Sequence, residues 1–580
     1  MAFTPMVIFN LHVHNTLAFM SLPPMTASSK LTKKSSHSSS LLAYDAFRNH
    51  QDLDWMISDA KFTADTITDF YDRGLTARRY ALVGVAYASI FSCSCIVAGI
   101  FTIINHGVYG AAVPNLVSPE EDARVSLQGE ILTLALNLIV TLCTEAIGFV
   151  HAISLRSALA SESRLRFNTN LRLLTAARGW YSPNGALLNG ISAVLLIISY
   201  SSASLVVCFD YQIMSQTYEE GIAIAGLPLL ILGIALLLQV MIALSGIWAV
   251  KILTWSSSPF DLTAALVHHT QLTPVTFRCM RRVSDPDTGE GPAKPLEMQP
   301  SAWRAHPSIR KVIISLWMIV AACAGWAALV MYIWHKVDGT HIFSSNALTL
   351  QTWSFLPKSA LSNSMAYGMP GVNPEAWILL FVNMAVVQGP LTLGLHCSEL
   401  IANVIRDERQ WRCATGRKGL ITTTNPLKMI FSHPVCFVLF IAKPFLHWMF
   451  GLSFIISPGM VGGQLTGFLV VMLTAQIWNL CMALFIFALF FTFVALRRPR
   501  GPQPAAYGHV QTLANLVDEW SPVMWWGHKE DGSPYCHAGT SDNPLPDVKM
   551  DRVYAGSGAG SLTEELYSRQ TDDTLTAGGQ

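Results

Sequence analysis

Eight runs of apolar residues, each long enough to cross a lipid bilayer, constrain this chain more than anything else in it. A bilayer core about 30 Å thick needs roughly 20 such residues at about 1.5 Å each along a helix. The runs lie at 80-104, 131-153, 186-209, 225-250, 313-335, 376-398, 434-457 and 469-496. Lipid offers the backbone no hydrogen-bond partner, so runs of this length predict helices. The expected fold is an all-α membrane protein, a bundle of about eight transmembrane helices. Lys443-Pro444 interrupts the seventh run, which leaves a broken or re-entrant segment open there. Composition agrees, since only 13% of the residues are charged, where a soluble domain carries about 25%.

Orientation follows from where the basic residues fall. With eight spans, the loops 105-130, 210-224, 336-375 and 458-468 share one side and hold Arg124, Lys336 and Lys358, three in all. The other side, including both ends of the chain, holds thirty-three; Lys251 and Lys443 lie in or at spans. Lys and Arg are retained in the cytoplasm, so both termini are expected there, in a plasma or an internal membrane. None of the eleven cysteines falls in the outer loops, which also lack an Asn-x-Ser/Thr sequon, so no external disulfide framework is expected. Cys93 and Cys95 diverge by about 200° on a helix among apolar neighbours and read as packing residues.

Residues 1-79 form a cytoplasmic segment, with a Ser- and Lys-rich stretch at 26-40 expected to be disordered and a surface helix expected within 44-72. No basic n-region precedes the apolar residues of 1-24, which argues against a cleaved signal. After the bundle at 80-498 comes a segment at 499-554 containing Trp520, Trp525 and Trp526. There Val510, Leu513, Leu516, Val517 and Trp520 have near-helical spacing, which predicts a short amphipathic helix docked on the bilayer interface or on the end of the bundle. Residues 555-580 read as a disordered tail. The two halves are faintly alike. Asn137 and Gly148 are matched by Asn383 and Gly394 at an offset of 246, and Ala264, Leu266 and Val267 by Ala514, Leu516 and Val517 at an offset of 250. These matches hint at two tandem four-helix units in parallel orientation.

Several stretches resemble a group of fungal multi-pass membrane proteins. They are Phe167-Asn168-Thr169-Asn170-Leu171-Arg172-Leu173, Trp255-Ser256-Ser257-Ser258-Pro259-Phe260-Asp261, His268-His269-Thr270-Gln271-Leu272, Gly394-Leu395-His396-Cys397-Ser398-Glu399-Leu400, and Tyr507-Gly508-His509-Val510-Gln511-Thr512-Leu513 with Asp518-Glu519-Trp520. The resemblance runs from about residue 80 to 555. It implies membership and source, no activity, and inner-side segments that are specific in sequence.

The second span carries the best functional candidates. Asn137, Thr141, Thr144, Glu145, Gly148 and His151 fall on one stripe about 120° wide, which cannot face lipid. Glu145 lies about 12 Å from the inner end, where a charge costs at least about 2.5–3.5 kcal/mol near the bilayer centre. It must be paired, protonated or wet. Two readings are open: a proton or cation relay running from Glu145 to His151, or a hydrogen-bonded helix seam. The sixth span places His396, Glu399 and Asn403 on one face below Pro390, which permits a kink. Lys443 and His447, one turn apart, are candidate counter-charges to Glu145 or Glu399, or marks of an interfacial segment. Gln476 and Asn479 are expected to bridge helices.

Asp261, His268, His269, His528, Cys536 and His537 lack the i, i+4 ligand spacing of a catalytic zinc helix, and no phosphate loop, nucleophile elbow or dinucleotide pattern occurs. No catalytic residue, metal site or cofactor is therefore assigned, an enzyme is not expected, and a lipid-modifying activity ranks last. The leading expectation is a transporter or ion-permeation protein acting on a small solute or ion, with the bilayer as its surroundings. The alternative is a sensor or scaffold that binds a cytosolic protein partner. Nucleic acid is not an expected partner, because the net charge is only +1.

Overall fold

The computed structural model describes residues 71–556 apart from 108–110, 113–121, 215–216, 286–290, 339–352, 357–363, 371–373, 423–432, 462–463 and 533. The expectations for 1–70 and for the tail beyond 556 lie outside the described residues. Ala555 is fully buried and its N–H donates to the Cys536 carbonyl at 3.1 Å, so the ordered end layer includes the start of the stretch read as a tail.

Among the described residues eight helices are long and apolar enough to cross a membrane, and the chain is a multi-pass α-helical membrane protein. The spans are Leu75–His106, Asp122–Ser161, Ala186–Val206, Gly226–Trp248, Pro307–Asp338, Pro374–Cys397, Pro434–Ser453 and Thr474–Leu496. Proline opens three of them, where its missing N–H costs nothing. The seventh is one continuous helix with Pro444 inside it, not a re-entrant segment.

The third span stops at Val206 because the chain turns into a hairpin of β2 (Val207–Met214) and β3 (Thr217–Ala225). Cys208, expected inside the helix, therefore lies on a strand. The seventh span stops at Ser453 in the same way, before β6 (Phe454–Val461) and β7 (Gln464–Leu473). Strand β1 (Ala111–Ala112) pairs antiparallel with β3, and β4 (Ser364–Pro370) with β7. The two sheets thus have matching orders, β1-β3-β2 and β4-β7-β6. Each follows the same succession of helices, and the fourth and eighth spans are both 23 residues long. The tandem units hinted at by a few matched residues are present as a repeated topology.

Within each unit the outer pair of spans packs together: first on fourth, fifth on eighth. In the first pair the contact is backbone to backbone. A Cβ on Gly99 would lie 2.7 Å from the Leu230 nitrogen, and one on Gly233 would lie 2.6 Å from the Ser92 carbonyl, so these glycines set the approach. Between units the contacts are reciprocal: the sixth span packs on the third and the seventh on the second, while β2 meets β6. At the opposite end the helix Pro259–His268 packs on the helix Val510–Leu516. Equivalent elements meeting one another are the pattern of an approximate two-fold relation along the bundle.

The end remote from the hairpins carries a packed layer. Val510, Leu513 and Leu516 of the predicted amphipathic helix are buried, and the helix docks on the bundle's end layer rather than on lipid. The tryptophan-rich stretch beyond it belongs to a small antiparallel sheet of β5 (Leu420–Ile421), β8 (Val523–Glu530) and β9 (His537–Ser541), where Trp526 and Trp411 share a core with Phe260. Among the described residues, Gln476 and Asn479 reach a loop segment and not a second helix. They donate to the carbonyls of Ser354 and Phe355, and Asn479 accepts from the Trp353 indole, so they hold the 353–356 segment at the hairpin end.

Candidate functional site

The four central spans bring the predicted charges together. Lys443 of the seventh span is 1% exposed, and its ammonium donates to Glu145 of the second span and to Glu399, just beyond the sixth. His396 completes the group: its Nδ1 lies 3.0 Å from Glu399 Oε1, 3.5 Å from Lys443 Nζ and 4.0 Å from Glu145 Oε1. A lysine alone at this depth would carry a large desolvation cost, and two carboxylates offset it. Of the alternatives for Lys443, the counter-charge is the one observed, and it serves both glutamates.

Glu399 reaches the cluster from one helical turn beyond His396, because the helix carries on past Cys397 into Glu399–Arg412: Ser398 keeps helical φ and ψ, and its N–H donates to the Gly394 carbonyl at 3.1 Å. Asn403, seven residues beyond His396 and about 10 Å further along the helix axis, lies outside the group; its side-chain oxygen accepts from Arg406 at 2.9 Å. Glu145 and Glu399 keep about a third of their side chains exposed, 33% and 30%. Glu399 and His396 line a cleft of about 30 Å³, room for one or two waters, together with Arg172, Asn189 and Ser192.

Arg172 was counted among the inner loop charges, but the structure places it under the cluster. Its Nη1 lies 3.4 Å from His151 Nδ1, and its Nη2 fills the space where a side chain on Gly148 would start, 3.0 Å from that Cβ position. Gly148 is the gap in the polar stripe that admits the guanidinium. Burial lowers the Arg172 pKa, while Glu399 and Glu145 raise it and so favour its charge. The cluster thus holds two acids, Glu145 and Glu399, and two strong bases, Lys443 and Arg172, around the imidazole of His396.

The rest of the stripe is dry. Asn137 and Thr141 are fully buried and Thr144 is 2% exposed. The Tyr200 hydroxyl sits 3.1 Å from Thr141 Oγ1 and 3.2 Å from Thr144 Oγ1. The Tyr200 ring stacks on His447 at 3.7 Å between centroids and 13° between planes, and His447 Nδ1 faces Gln388 at 3.3 Å. Tyr200 and His447 occupy equivalent places in the third and seventh spans, 247 residues apart, so the stack lies where the two units meet. Sequence reasoning passed over Tyr200 and Arg172. The 247-residue spacing to His447 was a usable signal for the tyrosine; a lone arginine between Leu171 and Leu173 was a weaker one for the loop.

A second polar centre knits the layer below. Arg156 donates to Asn168 Oδ1 and to the carbonyls of Thr254 and Ser256; Asn168 donates to Asp407 Oδ2 and to the Ser257 carbonyl. The Asn168 N–H reaches the Gly508 carbonyl, and Glu408 accepts the N–H groups of Ala506 and Tyr507. Three stretches singled out in the sequence, 167–173, 255–261 and 507–513, therefore meet at one place. Asp261 accepts from Ser256 Oγ and the Asp72 N–H instead of joining His268 and His269 as ligands. Burial, aided by the Asp72 charge, pushes its carboxyl up to about 7 against the lowering effect of those hydrogen bonds and of Arg156.

Site and fold define a class, a multi-pass membrane protein of two tandem four-helix units with a charged cluster at their junction. No family model, curated protein or solved structure matches the chain.

Proposed function

We propose that this protein is a transporter or ion-permeation protein, with the Glu145–Lys443–Glu399–His396 cluster as its coupling site and the end layer in the cytoplasm. One observation carries the reading: ionisable groups from both units meet at their junction and open onto a cleft. Transporters built from repeats bind at such junctions and work by moving one repeat against the other. The dry Asn137–Thr144 stretch and the Tyr200–His447 stack close the path towards the hairpins in this state. The distribution of basic residues, thirty-three against three, supports the orientation.

A membrane-impermeant thiol reagent tests this on Thr141→Cys and Ser192→Cys, each compared with the parent in sealed vesicles of known orientation. Ser192→Cys should label from the end-layer side, and Thr141→Cys from the hairpin side as the units alternate. Thr141→Cys remaining unlabelled from both sides would leave the seam reading in possession. That result would favour a scaffold whose end layer binds a cytosolic partner, the reading that the dry stripe supports.

A further inference from the structure

The cluster has a donor set that a lysine alone does not require. One carboxylate oxygen each from Glu145 and Glu399 and a ring nitrogen of His396 lie within 4.8 Å of one another. His396 and Glu399 lie one helical turn apart in the second unit, and the fold brings Glu145 to them from the second span of the first unit. A cation already sits among them, the ammonium of Lys443, tethered to the seventh span by its own side chain. His396 is 4% exposed, and its other ring nitrogen, Nε2, has no hydrogen-bond partner among the described residues. The cleft lined by His396 and Glu399 has room for a water at an open position.

Two carboxylates, one imidazole and an open water position are the donors that suit a first-row transition ion such as Zn²⁺, whereas Ca²⁺ takes six to eight oxygens. We propose that Glu145, His396 and Glu399 form a binding site for a divalent transition-metal ion, and that Lys443 is the tethered cation that fills it in the state described here. The ammonium and a metal ion cannot share the two carboxylate oxygens, so metal enters as Lys443 swings away. Arg172 stays below as a fixed positive charge that sets how tightly the ion is held. The site rests on this geometry alone; that its ion is the cargo rests on the transport reading.

Zn²⁺ binding to the full-length protein in lipid nanodiscs tests the site by equilibrium dialysis. Lys443→Met should bind one Zn²⁺ at least tenfold more tightly than the parent, and Lys443→Met with His396→Ala or with Glu399→Gln should lose that ion. Equal binding by parent and Lys443→Met, or binding that survives His396→Ala, overturns the proposal. Because Lys443→Met leaves two acids unpaired and can fail to assemble, Glu399→Cys provides a second arm with Lys443 intact. Cd²⁺ should slow maleimide labelling of the introduced thiol at least tenfold, read on its own peptide by mass spectrometry, and His396→Ala should abolish that protection. No protection, or protection without His396, again overturns it. Binding is measured without any path across the membrane, so the two readings fail separately. Zn²⁺ bound with Thr141→Cys always dark means a metal site without transport; labelling without metal binding means a different cargo.

Discussion

The two four-helix units share a scaffold and differ in what they put on it. Both run helix, helix, helix, hairpin, helix, with sheets of the same order. At equivalent positions, however, the second unit has Lys443 where the first has Leu196, and the first has Glu145 where the second has Leu391. Only the second unit has proline within its two central spans, Pro390 and Pro444. Below the membrane, Asp261 on one docking helix corresponds to Gln511 on the other. Apolar packing can be duplicated and kept, because each helix needs only a face of the right width. The charged cluster cannot be duplicated in place, because a two-fold copy would set like charges side by side. The site is therefore built from what the units do not share.

Making the units alike should break the protein in a graded way. Lys443→Leu, which copies Leu196 into the second unit, leaves Glu145 and Glu399 without their cation and should cost about 3–5 kcal/mol. Thermal unfolding in detergent would show it as the largest loss among these variants. Adding Glu145→Leu and Glu399→Leu should restore most of that stability, since an apolar replacement of a whole buried ion cluster is often neutral or better. If the triple variant stays as unstable as the single one, the cluster is a structural clamp and not a retained functional site.

The next effect is one of pH. The Asp261 carboxyl titrates near 7 in the fold and near 3.9 unfolded, so the folded chain holds the extra proton between those values. Its contribution to stability is complete below about pH 4 and falls as pH rises towards 7, by at most about 1.4 kcal/mol per pH unit. Asp261→Asn should flatten the stability profile across that window, whereas Gln511→Asn should not alter its slope. The smallest effect expected is at the stack. Tyr200→Phe keeps the ring on His447 and loses the bonds to Thr141 and Thr144, for about 1 kcal/mol. A much larger loss would mean that the hydroxyl, not the ring contact, holds the units together.

The helices were legible because twenty apolar residues in a row have few other uses, and Glu145, His396, Glu399 and Lys443 stood out because ionisable groups are costly there. The hairpins were not. Val207–Phe209 and Phe454–Ile456 continue the apolar character of the helices they adjoin, so the third and seventh runs extend to 209 and 457, and the eighth begins at 469 where the helix begins at Thr474. Nor did periodicity separate Asn403 from Glu399: a helical wheel puts both on one face but hides the axial distance, and Asn403 pairs with Arg406 instead. Arg172 was hidden for a different reason. A loop residue has no wheel, and only the space beside Gly148 shows where its side chain goes.

The repeated contacts at the two ends have a mechanical consequence. β2 against β6 above and helix 259–268 against helix 510–516 below fasten the units at both extremities of one line, as pivots hold a spindle. A body pinned in that way does not hinge open at either end; it twists about the line. Under the transport reading proposed above, the working stroke is a torsion that shears the Tyr200–His447 stack and shifts Lys443 across its two carboxylates, turning a small angle between halves into a change of partner for a single charge.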